Sequence, residues 1–300
     1  MNRFRKALTL YDDYYDMMSD EVRMENYSKA ITCVVKPGDI VVDLGCGPGL
    51  LTFLALQAGA KKVYAIEKTD SIRLAEKVAL KNNFSDRIEF IRENSLNVNL
   101  SEKADVLLSE TLGSFALEEN TLAFTIDARD RFLKKDGKMI PEGISIWTAP
   151  AESQKIETQM QFWKNIRGID FSPARQEMSK RMFVEKIPPE AFLARPAKFA
   201  LIDLYSVIEK SIHGSLDFEI VRNGVLSGIA GWFSVKLTDG IVFDTSPLSE
   251  ETHWQQAFFP VQESFPVREG GRFSLKLNVS EKKEAMDSAS ISFDYAYTGA

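Results

Sequence analysis

Two cysteines, Cys33 and Cys46, are all that 300 residues contain. They lie far apart in apolar or glycine-rich surroundings, which excludes a disulfide framework and a CxxC metal site. Such a chain is expected in a reducing compartment, as a soluble cytoplasmic protein without a metal. An excess of basic charge is also missing. The 37 Lys+Arg against 43 Asp+Glu leave a net charge of −6, so no positive surface is available to wrap a phosphate backbone and nucleic acid is not the expected substrate. No apolar run of about 18 residues is present to span a bilayer, and the opening MNRFRKALTLYDDYYDMM lacks the apolar centre of a signal peptide. No internal repeat and no low-complexity segment stands out. What is abundant is hydrophobic composition, 44%, enough for roughly two domains of about 100–200 residues.

From Ile40 to Pro141 short apolar β runs alternate with helix-period segments, the pattern of βαβ units and a parallel sheet. Strands are predicted at Ile40 to Leu44, Lys62 to Ile66, Arg87 to Arg92 and Ala104 to Ser109. LTFLALQAGA reads as a helix closed by Gly59, TDSIRLAEKVALKNN as a helix capped by Thr69 or Asp70, and Glu118 to Leu133 as a third. An N-capped helix over Ser19 to Cys33 precedes the sheet and is expected to pack over its edge. After Pro141 the texture changes to strands without long helices between them: GISIWTA, AKFALIDLYSVI, SLDFEIVRN, SGIAGWFSVKL, GRFSLKLNV and ASISFDYAY. Alternation with turn residues predicts an antiparallel barrel or sandwich. The helical stretch ESQKIETQMQFWKNIRG and the prolines Pro173, Pro188 and Pro189 read as an insertion projecting from it. The expected organisation is an N-terminal helical lid over residues 1–34, a Rossmann-like domain over 35–141, and a β-barrel domain over 142–300 carrying an arm at about 155–190.

Strand IVVDL runs into GCGPG and then a helix. Gly45, Gly47 and Gly49 therefore form a strand-to-helix turn in which missing Cβ atoms let a ligand approach the backbone. A dinucleotide fingerprint wants a third glycine where Leu50 stands. This disfavours NAD and favours S-adenosylmethionine, which has no pyrophosphate to cradle. Glu67 closes the next strand about 20 residues on, where a carboxylate can accept both ribose hydroxyls. Asp43 joins the same predicted cofactor set. Adenine is expected near Asn94, Ser95 and Leu96, with Ser95 the polar partner. Cys46 reads as a small residue filling the turn, not as a nucleophile.

Past the fourth strand comes SETLGSFALEEN. Here the chain resembles the protein arginine methyltransferase family, whose double-glutamate loop has the form SExxGxxxxxE. The loop supplies Glu110 and Glu119. DEVR, Asp20 to Arg23, is similar to the family's cofactor-lid segment, THW, Thr252 to Trp254, to its threonine-histidine-tryptophan loop, and FWKNIRGIDF, Phe162 to Phe171, to the start of its dimerisation arm. The resemblance covers residues 17 to 280. It implies that Arg23 pairs with the cofactor's methionyl carboxylate, that Met17 and Met18 line the space between methyl donor and acceptor, and that His253 contacts Asp20 to hold the lid and relay a proton. It implies S-adenosyl-L-homocysteine as the product and a homodimer formed through residues 155–190. Glu118, beside Glu119, is assigned to solvent because the family spacing selects Glu119.

Physical chemistry favours the same acceptor. Two carboxylates at the carboxyl end of a parallel sheet repel one another unless a cation neutralises them. A guanidinium matches carboxylate oxygens with a fork of donors. Its pKa exceeds about 12, so the acids polarise it instead of deprotonating it outright. The chain also departs from the family. Thr111 and Leu112 replace a tryptophan and a methionine, Ser114 replaces an aromatic residue, and Leu96 stands where a glutamate holds the adenine amine. The tyrosine pattern is compressed, so that Tyr11, Tyr14 and Tyr15 have no assigned place. Three functions stay open: methylation of arginine in a protein or peptide, methylation of free arginine or another small guanidino or amino compound, and cofactor binding without catalysis. Retention of Glu110 and Glu119 argues against the last.

Overall fold

The computed structural model describes residues 12–281 and 289–299. Residues 12–19 are helical, and helix α1 (Glu21–Val34) follows at once. Its N-cap is Asp20, one residue past the expected start, because the Asp20 carboxylate accepts the Arg23 amide at 2.9 Å and so satisfies one of the donors that a helix start leaves open.

Five parallel strands form the first sheet: β1 (Ile40–Leu44), β2 (Lys62–Ile66), β3 (Ile88–Ile91), β4 (Ala104–Ser109) and β5 (Leu133–Ile140). Helices α2 (Leu50–Ala58), α3 (Ile72–Lys81) and α4 (Thr121–Phe132) provide crossovers. The strand order β3-β2-β1-β4-β5 reverses beside β1. Crossovers therefore leave the carboxyl ends of β1 and β4 in opposite directions and open a crevice there. Burial of every residue of β1 explains why its sequence is a nearly unbroken apolar run.

Three expectations need correction here. Helix α3 is capped by neither Thr69 nor Asp70. Thr69 Oγ1 hydrogen-bonds with Ser71 Oγ at 2.7 Å, and Asp70 pairs with Arg92 at 2.6 Å, so the helix begins after Ser71. Helix α4 starts at Thr121, because Asn120 adopts a left-handed φ of 56° that no helix continues through. Leu133, read as that helix's last residue, opens β5, an edge strand whose polar LKKDGKMI carries no strand alternation.

The second half is antiparallel. Strand β6 (Gly143–Ala151) leads into helices α5 (Gln154–Phe162) and α6 (Ser172–Met178). Strands β7 (Phe183–Glu185), β8 (Ala197–Asp203), β9 (Ile212–Glu219), β10 (Gly224–Thr238), β11 (Ile241–Asp244), β12 (Gln256–Val267), β13 (Arg272–Glu281) and β14 (Ala289–Thr298) follow. They form two sheets, β7-β12-β10-β6-β8 with β11 on β10, and β14-β13-β9. Aromatic contacts join them: Phe259 meets Phe293 edge-on at 6.2 Å between ring centres, and Phe265 stacks on Tyr295 at 5.8 Å. Strand β12 was not legible in the sequence because Pro260 and Pro266 break its pattern. The fold accommodates Pro260 opposite Gly228, beside a register shift, where ladder pairing is already interrupted.

Candidate active site

The glycine turn after β1 takes left-handed φ values of +76° at Gly45, +51° at Gly47 and +90° at Gly49, conformations that side chains disfavour. The three have separate tasks. A Cβ on Gly45 would lie 2.8 Å from Thr111 Cγ2, and one on Gly47 would meet Tyr14 at 3.6 Å. Gly49 packs against α3 and α2 instead, since its Cβ would fall 2.9 Å from Ala75 and Phe53. It does not line the cavity, whereas its neighbours Pro48 and Leu50 do.

The cavity at this turn encloses about 300 Å³. It brings together Met17, Met18, Arg23, Asp43, Gly45, Gly47, Glu67, Ser95, Glu110 and Glu119, residues that sequence reasoning assembled from six separate segments. Glu67 Oε2 accepts the Gly47 amide at 3.2 Å, and Oε1 accepts the Thr69 amide at 2.7 Å, which fixes the carboxylate at the end of β2. Ser95 is buried and lines the cavity as well. Leu96 stays off the wall. Glu93, Tyr14, Lys68 and Phe124 line it and were not foreseen. Tyr15 is exposed, and Tyr11 lies outside the described residues.

Asp43 is buried, with Thr52 Oγ1 donating to Oδ2 at 2.5 Å. Burial pushes its carboxyl up to about 7 from 3.8. Between these pH values the folded chain keeps a proton that the unfolded chain has released, so stability from this group is full at the acid end and is lost as pH rises to about 7. The total is on the order of a few kcal/mol. Asp43→Asn is expected to flatten the fall of Tm across that window in calorimetric scans. A slope equal to that of the wild type would show that Asp43 ionises as freely as in the unfolded chain. Burial likewise pushes the Cys46 thiol up, which leaves it protonated and unreactive.

Glu110 follows the last residue of β4. Its Oε2 accepts from Arg23 Nε at 2.8 Å and Nη2 at 2.5 Å, while Oε1 takes the Leu112 amide at 3.1 Å. Arg23, expected to meet the cofactor carboxylate, thus neutralises Glu110 and still faces the cavity. Glu119 keeps part of its side chain at the surface. Even so, crowding by the protein and then the charge of Glu110 raise its carboxyl above the ordinary glutamate value, against the pull of Lys68.

Asp20 and His253 do pair, His253 Nδ1 to Asp20 Oδ2 at 2.7 Å, with the His253 amide on the same oxygen at 2.9 Å. Burial would raise the Asp20 carboxyl, but these bonds and that from the Arg23 amide hold it below its usual value. The pair lines a neighbouring groove with Glu21, Glu250 and Glu251, not the central cavity. Trp254 packs between Phe233 and Phe243, at 5.4 and 5.5 Å, and donates its indole N–H to the Leu112 carbonyl. The threonine-histidine-tryptophan loop thereby ties the second half of the chain to both α1 and the acidic loop. Glu118 is not solvated as expected. Both its oxygens accept the Phe115 amide, at 2.9 and 3.0 Å, and burial pushes the carboxyl up to about 7.

Comparison with known proteins fits this geometry. Residues 144–300 match the family described as the arginine methyltransferase oligomerization subdomain, and residues 26–165 match ribosomal protein L11 methyltransferase. Protein arginine N-methyltransferase 6 of Xenopus laevis is 31% identical over 270 residues, covering 85% of this chain and 79% of that protein. Protein arginine N-methyltransferase 1 of Schizosaccharomyces pombe is 32% identical over 285 residues, covering 88% and 83%. Among solved structures, the Trypanosoma brucei PRMT1 enzyme-prozyme heterotetrameric complex with AdoHcy superposes with a TM-score of 0.86 at 26% identity, covering 97% of this chain and 94% of that one. Arabidopsis thaliana protein arginine methyltransferase 10 gives 0.81 at 28%, covering 95% and 93%. Two acids on one loop at the strand-order reversal, a glycine turn facing them and relatives matched over most of both chains lead to one assignment: the chain belongs to the protein arginine methyltransferase family.

Proposed function

We propose that the chain transfers a methyl group from S-adenosylmethionine to a guanidinium nitrogen of arginine in a protein or peptide and releases S-adenosylhomocysteine. The observation that carries this reading is one cavity whose wall includes Gly45, Gly47, Glu67 and Ser95 together with Glu110 and Glu119. The donor set suits the cofactor: a turn open to an approaching ligand, a fixed carboxylate for ribose hydroxyls, a buried hydroxyl for adenine, and Arg23, the one guanidinium on the wall among the described residues, for a carboxylate. S-adenosylmethionine supplies an electrophilic methyl group on its sulfonium. Glu110 and Glu119 hold the acceptor guanidinium by charge-assisted hydrogen bonds, gather its positive charge on their side and leave one nitrogen electron-rich toward the donor. Met17 and Met18 bound the space between the two. Asp20 and His253 hold the N-terminal helices against the site, and a proton lost from the acceptor can leave through the Asp20–His253 groove. The remaining acceleration comes from alignment.

This reading includes a lid over residues 1–34, a cofactor domain over 35–141 and a substrate domain over 142–300 whose two sheets act as a barrel. It includes a homodimer through an arm at about 155–190. In support, Phe162, Ile169 and Phe171 are 58, 62 and 37% exposed, an apolar face that water penalises unless something covers it. Phe162→Asp is expected to give monomers in analytical ultracentrifugation, and dimers at unchanged strength would remove the arm from the interface. The free cysteines fit a cytoplasmic site of action, and no helix of the described residues is long and apolar enough to cross a membrane.

The test is transfer from labelled S-adenosylmethionine to an Arg-rich peptide and to free arginine in parallel, read by mass spectrometry. Label in the peptide supports the proposal. Label in free arginine alone moves the function to small guanidino compounds, for which the small side chain of Thr111 on the cavity wall leaves room.

A further inference from the structure

Among the described residues, the Glu118 side chain neither lines the cofactor cavity nor has a cation within hydrogen-bonding distance. It turns back onto its own loop, where both oxygens take the Phe115 amide at 2.9 and 3.0 Å. Gly113 lies flat beneath it, since a Cβ there would fall 2.2 Å from Glu118 Oε1 and 2.4 Å from Cδ. The two ends of this clamp are anchored differently. Phe115 is fully buried, edge-on to Phe259 at 5.1 Å between ring centres and pressed against Gly231. The Glu118 carbonyl accepts the Ala289 amide at 2.6 Å, from the first residue of β14. The next residue is Glu119. An apolar side chain at 118 would leave the Phe115 amide buried without a partner, at a cost of about 1–3 kcal/mol.

We infer that Glu118 is a positioning residue for the transfer reaction: its carboxylate holds the turn from Gly113 to Phe115, and that turn directs Glu119 across the cavity toward Glu110. This rests on the reading that Glu110 and Glu119 hold the acceptor. Burial works against an acid here, as does the charge of Glu119, and they push the Glu118 carboxyl up to about 7. Lys180 shares the adjoining cavity with Glu118 and Glu119 but pairs with Glu177 at 2.6 Å. A side chain kept at this cost serves the loop's geometry more than its stability.

The test uses four variants of the full chain, E118Q, E118A, G113A and G113A/E118A. Amide exchange over residues 113–119 is measured by mass spectrometry, together with kcat and KM for an Arg-rich peptide and calorimetric affinity for S-adenosylmethionine. In E118A and in G113A, where the new methyl group evicts the carboxylate, protection is lost and kcat falls roughly tenfold to a hundredfold, the range set by misplacing a substrate-holding group by about 1 Å. Cofactor affinity stays unchanged. E118Q, which still offers an oxygen to Phe115, stays within about threefold of wild type on that geometry. The double variant is no worse than the poorer single one, because the three atoms nearest a methyl group on residue 113 all belong to the Glu118 side chain beyond its Cβ and are gone in E118A. Wild-type protection and kcat in E118A would overturn the inference, as would additive losses in the double variant. If the wild type methylates no guanidino compound, the acceptor reading fails, while the exchange measurement still decides whether Glu118 clamps the loop.

Discussion

Glu110→Gln is expected to lower methyl transfer by a factor of about 10²–10³, the range for removing one preorganised electrostatic group, while cofactor affinity stays within a few-fold of wild type. The glutamine keeps the shape of Glu110 and an oxygen for the Leu112 amide, which Oε1 accepts at 3.1 Å. What it loses is charge. Arg23, buried and bonded through Nε and Nη2 to Oε2, is left without its neutralising partner. In the acceptor complex two guanidinium groups would then face the single carboxylate of Glu119. Cofactor binding has no reason to weaken, because Arg23 is released toward the cofactor's own carboxylate. The half-satisfied Arg23 carries a stability cost of about 1–3 kcal/mol, so a thermal scan belongs beside the kinetic comparison. Transfer within about fivefold of wild type, far short of the loss expected for such a group, would sink the two-carboxylate mechanism.

Gly47→Val is expected to act on the cofactor instead, weakening calorimetric binding of S-adenosylmethionine by roughly tenfold to a hundredfold. Two effects add. A β-branched residue at a φ of +51° costs about 1–3 kcal/mol of backbone strain, where about 1.4 kcal/mol is tenfold in affinity. The strain relaxes by moving the amide that Glu67 Oε2 accepts at 3.2 Å. The Cβ would also stand 3.6 Å from the Tyr14 ring, so that valine's branching methyl groups push the 12–19 helical segment away from the turn. Gly47→Ala separates these effects, since 3.6 Å is ordinary contact for a single methyl group and only the strain remains. The alanine variant should bind between wild type and valine. Unchanged binding in both would remove this turn from the cofactor site.

Some elements were legible because one interaction dominates them. Strands β1, β2 and β4 appear with their expected bounds, since a strand buried on both faces between helices must be a short apolar run ended by turn residues. Gly59 closes α2 with a φ of 116°, as its sequence position indicated. The cavity set was legible for a similar reason. Gly45, Gly47, Glu67, Ser95 and Glu110 all lie within a few residues of strand ends, Glu119 closes the loop that leaves β4, and a parallel sheet gathers its strand ends on one side. Strand β5 was hidden because edge strands carry solvent-facing lysines, and β12 because its prolines find their place only through a register shift against β10.

By itself the sequence determined the parallel sheet and the glycine turn, because spacing along the chain fixes which residues leave a strand together, and the two acids stood out through the loop's resemblance to that of the family. Only the tertiary structure decided what each charge meets. Arg23 reaches Glu110 across 87 positions of sequence, and Asp20 reaches His253 across 233. Glu118 turns away from solvent because the Phe115 amide beside it would otherwise be buried unpaired. A charge settles where its partner and its burial balance, and that balance exists only once distant segments have packed.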